Sequence, residues 1–201
     1  MTRPARSVRE PFRFPGPLAH RCCTGVLGVA VAALALTACG GPSDEPDGIS
    51  ALLLSDEQLG DEWVASDPGE VALQPGSVAP PCPFEGEIPD IELAAATSIE
   101  FGNEERRLGI NHTVVELDDD PEGAQAVLDT WQRMDCSDSD ATQRPVVGLP
   151  ADVFGVELDT VDSDFTQTVL VRVEGSTMSF LVVTGEGDVV VDLTQELAPL
   201  I

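Results

Sequence analysis

Two periodicities organise the chain. From Thr97 to Asn103 and from Leu108 to Leu117, apolar and polar positions alternate. That places Ile99 with Phe101, and Leu108, Ile110, His112 and Val114 together, and predicts half-buried strands. Glu104-Glu105 between the two segments predicts a hairpin. Val153 to Leu158 reads as a short strand. Gln167 to Glu174 and Thr177 to Thr184 read as stronger ones, with turn chemistry at Glu174-Gly175-Ser176. The period changes after Asp120. Ala124, Val127, Leu128, Trp131 and Met134 form one stripe at helical spacing, with Asp120 as N-cap, Pro121 at the first helical position and Glu122 beside the helix dipole. Ser50 to Leu59 passes from an apolar run into a short helix capped by Ser55. Val189, Leu193, Leu197 and Leu200 recur at helical spacing after Asp188, although three consecutive valines pull that segment towards strand. Ala94-Ala95-Ala96 leans helical, and Asp67 to Phe84 reads as irregular with one short strand. Hairpins next to helices predict an α+β domain: an antiparallel sheet of about five to six strands with helices packed on one side, in two layers.

The segment from Met1 to Ala38 follows a different logic. A basic stretch precedes an apolar run, Thr24 to Leu36 (TGVLGVAVAALAL). That run is too short to span a bilayer and suits the core of an export signal. It ends in Leu36-Thr37-Ala38-Cys39-Gly40-Gly41, the pattern of a lipobox. The small residues admit a peptidase, and the Cys39 thiol is the nucleophile that takes a diacylglyceryl group. The expected organisation is a signal peptide over 1–38, a flexible Gly/Pro/Ser-rich tether over 39–48, and one extracytoplasmic domain over 49–201. The location that follows is the outer face of the cell membrane, held by lipid on Cys39.

Charge and cysteine content sharpen this picture. The chain carries a net −26, but five of its ten arginines lie between Met1 and Arg21, with Glu10 the only acid among them. From Cys39 onward five basic residues face 35 acidic ones, a net of −30. Such a surface repels phosphate backbones, so nucleic acid is excluded as a partner. Lysine and tyrosine are absent, and arginine in place of lysine with abundant Ala, Gly, Val and Asp points to a GC-rich genome of the actinobacterial kind. Once Cys39 is acylated, Cys82 and Cys136 remain. Two thiols in a small exported domain are expected to form a disulfide, and no CxxC spacing argues for redox catalysis.

The search for chemistry is short. GxSxG, HExxH and GxxxxGK[ST] are all missing. His112 is the one histidine after the signal, and its apolar face-mates suggest a buried, hydrogen-bonded ring. Asp118, Asp120, Glu122, Gly123 and Asp129 mimic the spacing of a calcium loop, but the helical stripe through them is incompatible with one. Asp135, Asp138 and Asp140, and Asp159, Asp162 and Asp164, read as solvated loops. No metal site, cofactor or catalytic residue is expected.

The start Ala51 to Leu59 (ALLLSDEQL), the helix end Ala126 to Cys136 (AVLDTWQRMDC) and the hairpin strands before a final helix resemble the PknH-like extracellular sensor domains carried by mycobacterial kinases and by many actinobacterial lipoproteins. Members of that family usually carry two disulfides, whereas this chain has cysteines for one. The resemblance implies ligand sensing outside the cell, without catalysis and without a settled ligand. The expected function is a non-catalytic ligand-binding or sensing lipoprotein, with a cleft near Trp63, His112 and Trp131. The alternative is an envelope interaction or scaffold lipoprotein without a pocket. Partners are then the membrane, through the anchor, and an unknown small molecule or envelope protein.

Overall fold

The computed structural model describes residues 48–71, 78–85, 87, 89–137, 139, 141–160 and 165–201, all within the unit Ser43–Ile201. The expected signal peptide, Cys39 and the expected tether up to residue 47 lie outside them, as do Asp138, Asp140, Asp162 and Asp164. Gly48, expected in the tether, opens a 3-10 turn over Gly48–Leu52. No helix among the described residues is long and apolar enough to cross a membrane.

Among the described residues eight antiparallel strands make one sheet: β1 (Val64–Ala65), β2 (Gly69–Glu70), β3 (Leu93–Asn103), β4 (Leu108–Leu117), β5 (Ala141–Pro145), β6 (Val153–Thr160), β7 (Phe165–Glu174) and β8 (Thr177–Glu186). Their order is β1-β3-β4-β8-β7-β6-β5, with β2 also on β3. The α-helices are α1 (Asp56–Leu59), α2 (Pro121–Gln132) and α3 (Val189–Leu197). The domain is α+β with helices packed against an antiparallel sheet, but eight strands replace the five to six expected. The additional strands are edge pieces. β1 and β2 are two-residue, fully exposed segments on β3, and β5 pairs only with β6. Without a buried face they carry no apolar alternation to read.

The layering also differs from expectation. In β7, Val169 and Val171 belong to one core while Leu170 between them belongs to another. In β8, Met178 and Phe180 face the first core, and Leu181 and Val183 the second. Neighbouring strand residues point to opposite faces, so the two cores lie on opposite sides of the sheet. α2 covers one through Val127, Leu128 and Trp131, and α3 covers the other through Val190, Leu193 and Leu197. Helices on both faces make three layers rather than two. Consecutive apolar residues in central strands are what double coverage demands.

Local chemistry fixes the elements. The Asp120 carboxylate accepts from Gly123 N at 2.8 Å and caps α2, with Pro121 behind it. α3 starts after Asp188 without a side-chain cap bond; burial of its Val190-Leu193-Leu197 stripe outweighs the strand preference of the valines. Ala94-Ala95-Ala96, where a helix was expected, is strand, because pairing of β3 with β4 overrides alanine's helical propensity. Gly175 takes φ 61°, the positive value a two-residue hairpin loop needs at its first central position between β7 and β8. Cys82 and Cys136 are joined with Cα atoms 5.2 Å apart, and the backbone bridge Phe84↔Met134 lies beside them. Trp131 Nε1 donates to the Val78 carbonyl at 2.8 Å. The end of α2 is thus fastened twice to the segment that follows residue 77.

Candidate functional site

The α3 face of the sheet is not fully covered. α3 and the chain's last residues occupy part of it, and residues 48–59 cross another part as an arm. The 3-10 turn and α1 in that arm bury none of their own residues. The arm is anchored between them by Leu54, 2% exposed, whose backbone N–H donates to His112 Nδ1 at 2.9 Å. Gln58 steadies the arm by accepting from Ser55 N at 2.8 Å. Between arm and C-terminal segment lies an open groove of about 1000 Å³.

The floor of the groove is written in the strand register. Ile99 of β3 pairs with His112 of β4, which pairs with Leu181 of β8. Further along the same face, Arg172 of β7 pairs with Ser179 of β8, and Glu174 pairs with Thr177. Ile99, Arg172, Glu174, Thr177 and Ser179 all line the groove. Its walls are mixed, the arm adding Ser50, Ser55, Asp56 and Gln58 to its leucines. Leu52, Leu53 and Leu54 stand on one side and Pro199, Leu200 and Ile201 on the other, with Leu52 and Leu200 left 52% and 41% exposed.

The polar groups divide into engaged and free. Arg172 Nη1 donates to the Ile201 carbonyl oxygen, and its Nε lies 2.9 Å from Asp152 Oδ2 in an ion pair. Asp56 Oδ1 accepts from Glu57 N at 3.0 Å. The exposed Glu174 carboxylate has no hydrogen bond or ion pair among the described residues.

His112 lies beneath the groove rather than in it. Its ring is fully buried, and burial pushes its pKa down to about 4. With Nδ1 accepting, the neutral ring holds its proton on Nε2, which is buried without a partner among the described residues. The ring fastens the arm to the sheet. It has no lone pair left to serve as a base for any of the groove's serines.

The three residues expected to share a cleft are not brought together. Trp63 and His112 lie in the core under α3, while Trp131 lies in the core under α2, its ring 5.8 Å from Phe180. The sheet separates them, and none of the three lines the groove. The groove residues that sequence reasoning passed over are Ile99, Arg172, Glu174, Thr177 and Ser179. A signal for two of them existed: Arg172 and Ser179 interrupt otherwise apolar strands. Only the register shows that the two interruptions are cross-strand neighbours. Among the described residues no three His, Cys, Asp or Glu side chains gather as a metal site, and both described cysteines are bridged.

No family model and no curated protein matches the chain. Among solved structures it is similar to the extracellular domain of PknH from Mycobacterium tuberculosis. The identity is 12%, over 75% of this chain and 94% of that one, with a TM-score of 0.44. No residue role is transferred across that distance.

Proposed function

We propose that this protein is a lipid-anchored extracytoplasmic lipoprotein whose domain binds a small ligand without transforming it. The observation that carries the reading is the groove beside the arm: about 1000 Å³, walls that mix leucines with polar side chains, a floor of paired hydroxyl and charged side chains. Volume and lining are those of a small-molecule site, where apolar surface supplies affinity and a few placed polar groups supply orientation. A binding role without catalysis fits the one histidine beyond Cys39, His112, being committed to a structural hydrogen bond. The anchor at Cys39 rests on the lipobox and the apolar run before it. It places the domain where a disulfide such as Cys82–Cys136 persists.

Native mass spectrometry of the whole protein extracted from its own envelope tests this. A reproducible small-molecule adduct, lost when Ile99→Trp fills the floor of the groove, is the expected result. A second reading is favoured by the exposed Leu52 and Leu200 on the rim, which a docking protein would cover. Under that reading the adduct is a polypeptide. Protein free of any adduct contradicts both.

A further inference from the structure

We infer that the groove selects a cationic amphiphile: an ammonium or similar positive head on an apolar body of a few carbons. This rests on the groove being a ligand site and goes further by assigning the ligand's charge. Two observations carry it. The first is the state of the groove's polar groups. Its one cation, Arg172, is already committed to Asp152 and to the Ile201 carbonyl. Its lining carboxylates are Asp56 and Glu174, and that of Glu174, exposed and cross-strand from Thr177, is unpartnered among the described residues. An anion entering the groove meets no unused positive charge, whereas a cation meets an unused negative one. The second is the surrounding field. All five arginines beyond the signal are engaged by acidic side chains or backbone: Arg106 with Glu62, Arg107 with Glu186, Arg133 with the Asp129 carbonyl, Arg144 with Glu157 and Asp159, and Arg172 as above. A net of −30 from Cys39 onward leaves the surface attractive to cations and raises their local concentration.

The apolar half of the ligand follows from the walls. Leu52 and Leu200 are exposed on opposite rims, with Leu53, Leu54 and Ile99 deeper between them. A short alkyl or aryl body laid there removes leucine surface from water while its head reaches Glu174 and the hydroxyls of Thr177 and Ser179. Opposite charge makes the head group specific, and burial of apolar surface makes it bind.

The test is a titration of the full chain in zwitterionic lipid nanodiscs, with empty nanodiscs as the blank. The probes are hexyltrimethylammonium, 1-hexanol and hexanoate. The expected order of affinity is ammonium, then alcohol, then carboxylate, with about a tenfold span between the charged probes at low salt. The span narrows towards equality in about 1 M salt. Glu174→Gln, at an exposed side chain that holds nothing in place, lowers ammonium affinity about threefold and leaves hexanol unchanged. Equal affinity for all three probes overturns the charge assignment while leaving the groove as a ligand site. An ammonium preference that Glu174→Gln does not reduce assigns selectivity to the general field and also overturns it. Binding of none of the probes removes the groove reading itself.

Discussion

At the scale of single residues, His112 and Gly155 carry the sharpest consequences. Burial holds the His112 pKa at about 4, whereas an unfolded imidazole takes its proton near 6.5. Between those values the unfolded state binds more protons than the folded one. The stabilisation is therefore complete above pH 6.5 and is lost as the pH falls to 4, about 3 kcal/mol in all. Protonation at Nδ1 also removes the acceptor for Leu54 N–H. An NMR titration of the His112 ring is expected to give a midpoint near 4; a midpoint near 6.5 means an exposed ring and a detached arm. Gly155 acts through space. A Cβ there, on β6 between β7 and the edge strand β5, would press on Leu149 Cδ1 and sit 2.7 Å from Leu170 Cδ2 and 3.2 Å from Val146 Cβ. Gly155→Ala is expected to destabilise by about 1–3 kcal/mol in urea unfolding through overpacking; an unchanged midpoint contradicts that closeness.

At the scale of elements, what the sequence disclosed depended on burial. β4, α2, β7 and β8 were legible because each buries a face and so imprints a period on its residues. β1, β2 and β5 were not, since an edge strand with no buried residue imprints none; Ala141-Thr142-Gln143-Arg144-Pro145 takes its place from its register with β6 and from Gln143 Oε1 accepting from Cys136 N at 3.3 Å. Double coverage was present in the sequence as Val169-Leu170-Val171 and Phe180-Leu181-Val182-Val183. Alternation was read where continuous apolarity was the informative pattern. The groove was hidden for another reason: its residues come chiefly from the arm, three strands and the last turn, and only register unites them. The arm itself depends on one buried side chain. Leu54→Ala is expected to speed hydrogen exchange across residues 48–59 at least tenfold while α2 keeps its protection, as local opening requires; uniform loss across the domain would show that the arm is part of the global fold. The Cys82–Cys136 link joins positions separated by 54 in sequence. Its reduction is expected to cost about 4 kcal/mol by the chain-entropy model. A thermal midpoint unchanged by reductant would show that the Trp131–Val78 bond and the Phe84↔Met134 bridge hold that segment without the disulfide.

At the scale of the whole molecule, charge and location dominate. From Cys39 onward 35 acids and five arginines leave the chain repelling itself, so moderate salt is expected to raise its thermal midpoint by screening; a midpoint that falls with salt would show the ion pairs outweighing the repulsion. Location decides everything functional. Three layers, a groove on one face and an arm that would directly follow the proposed tether suit a binding module displayed from a membrane, and under the proposed function that display depends on Cys39. The most direct measurement is the intact mass of the protein recovered from the membranes of a lipoprotein-competent bacterium. A chain that begins at Cys39 and carries a diacylglyceryl mass is the predicted result. A chain that keeps Met1 to Ala38 and bears no acyl mass contradicts the account.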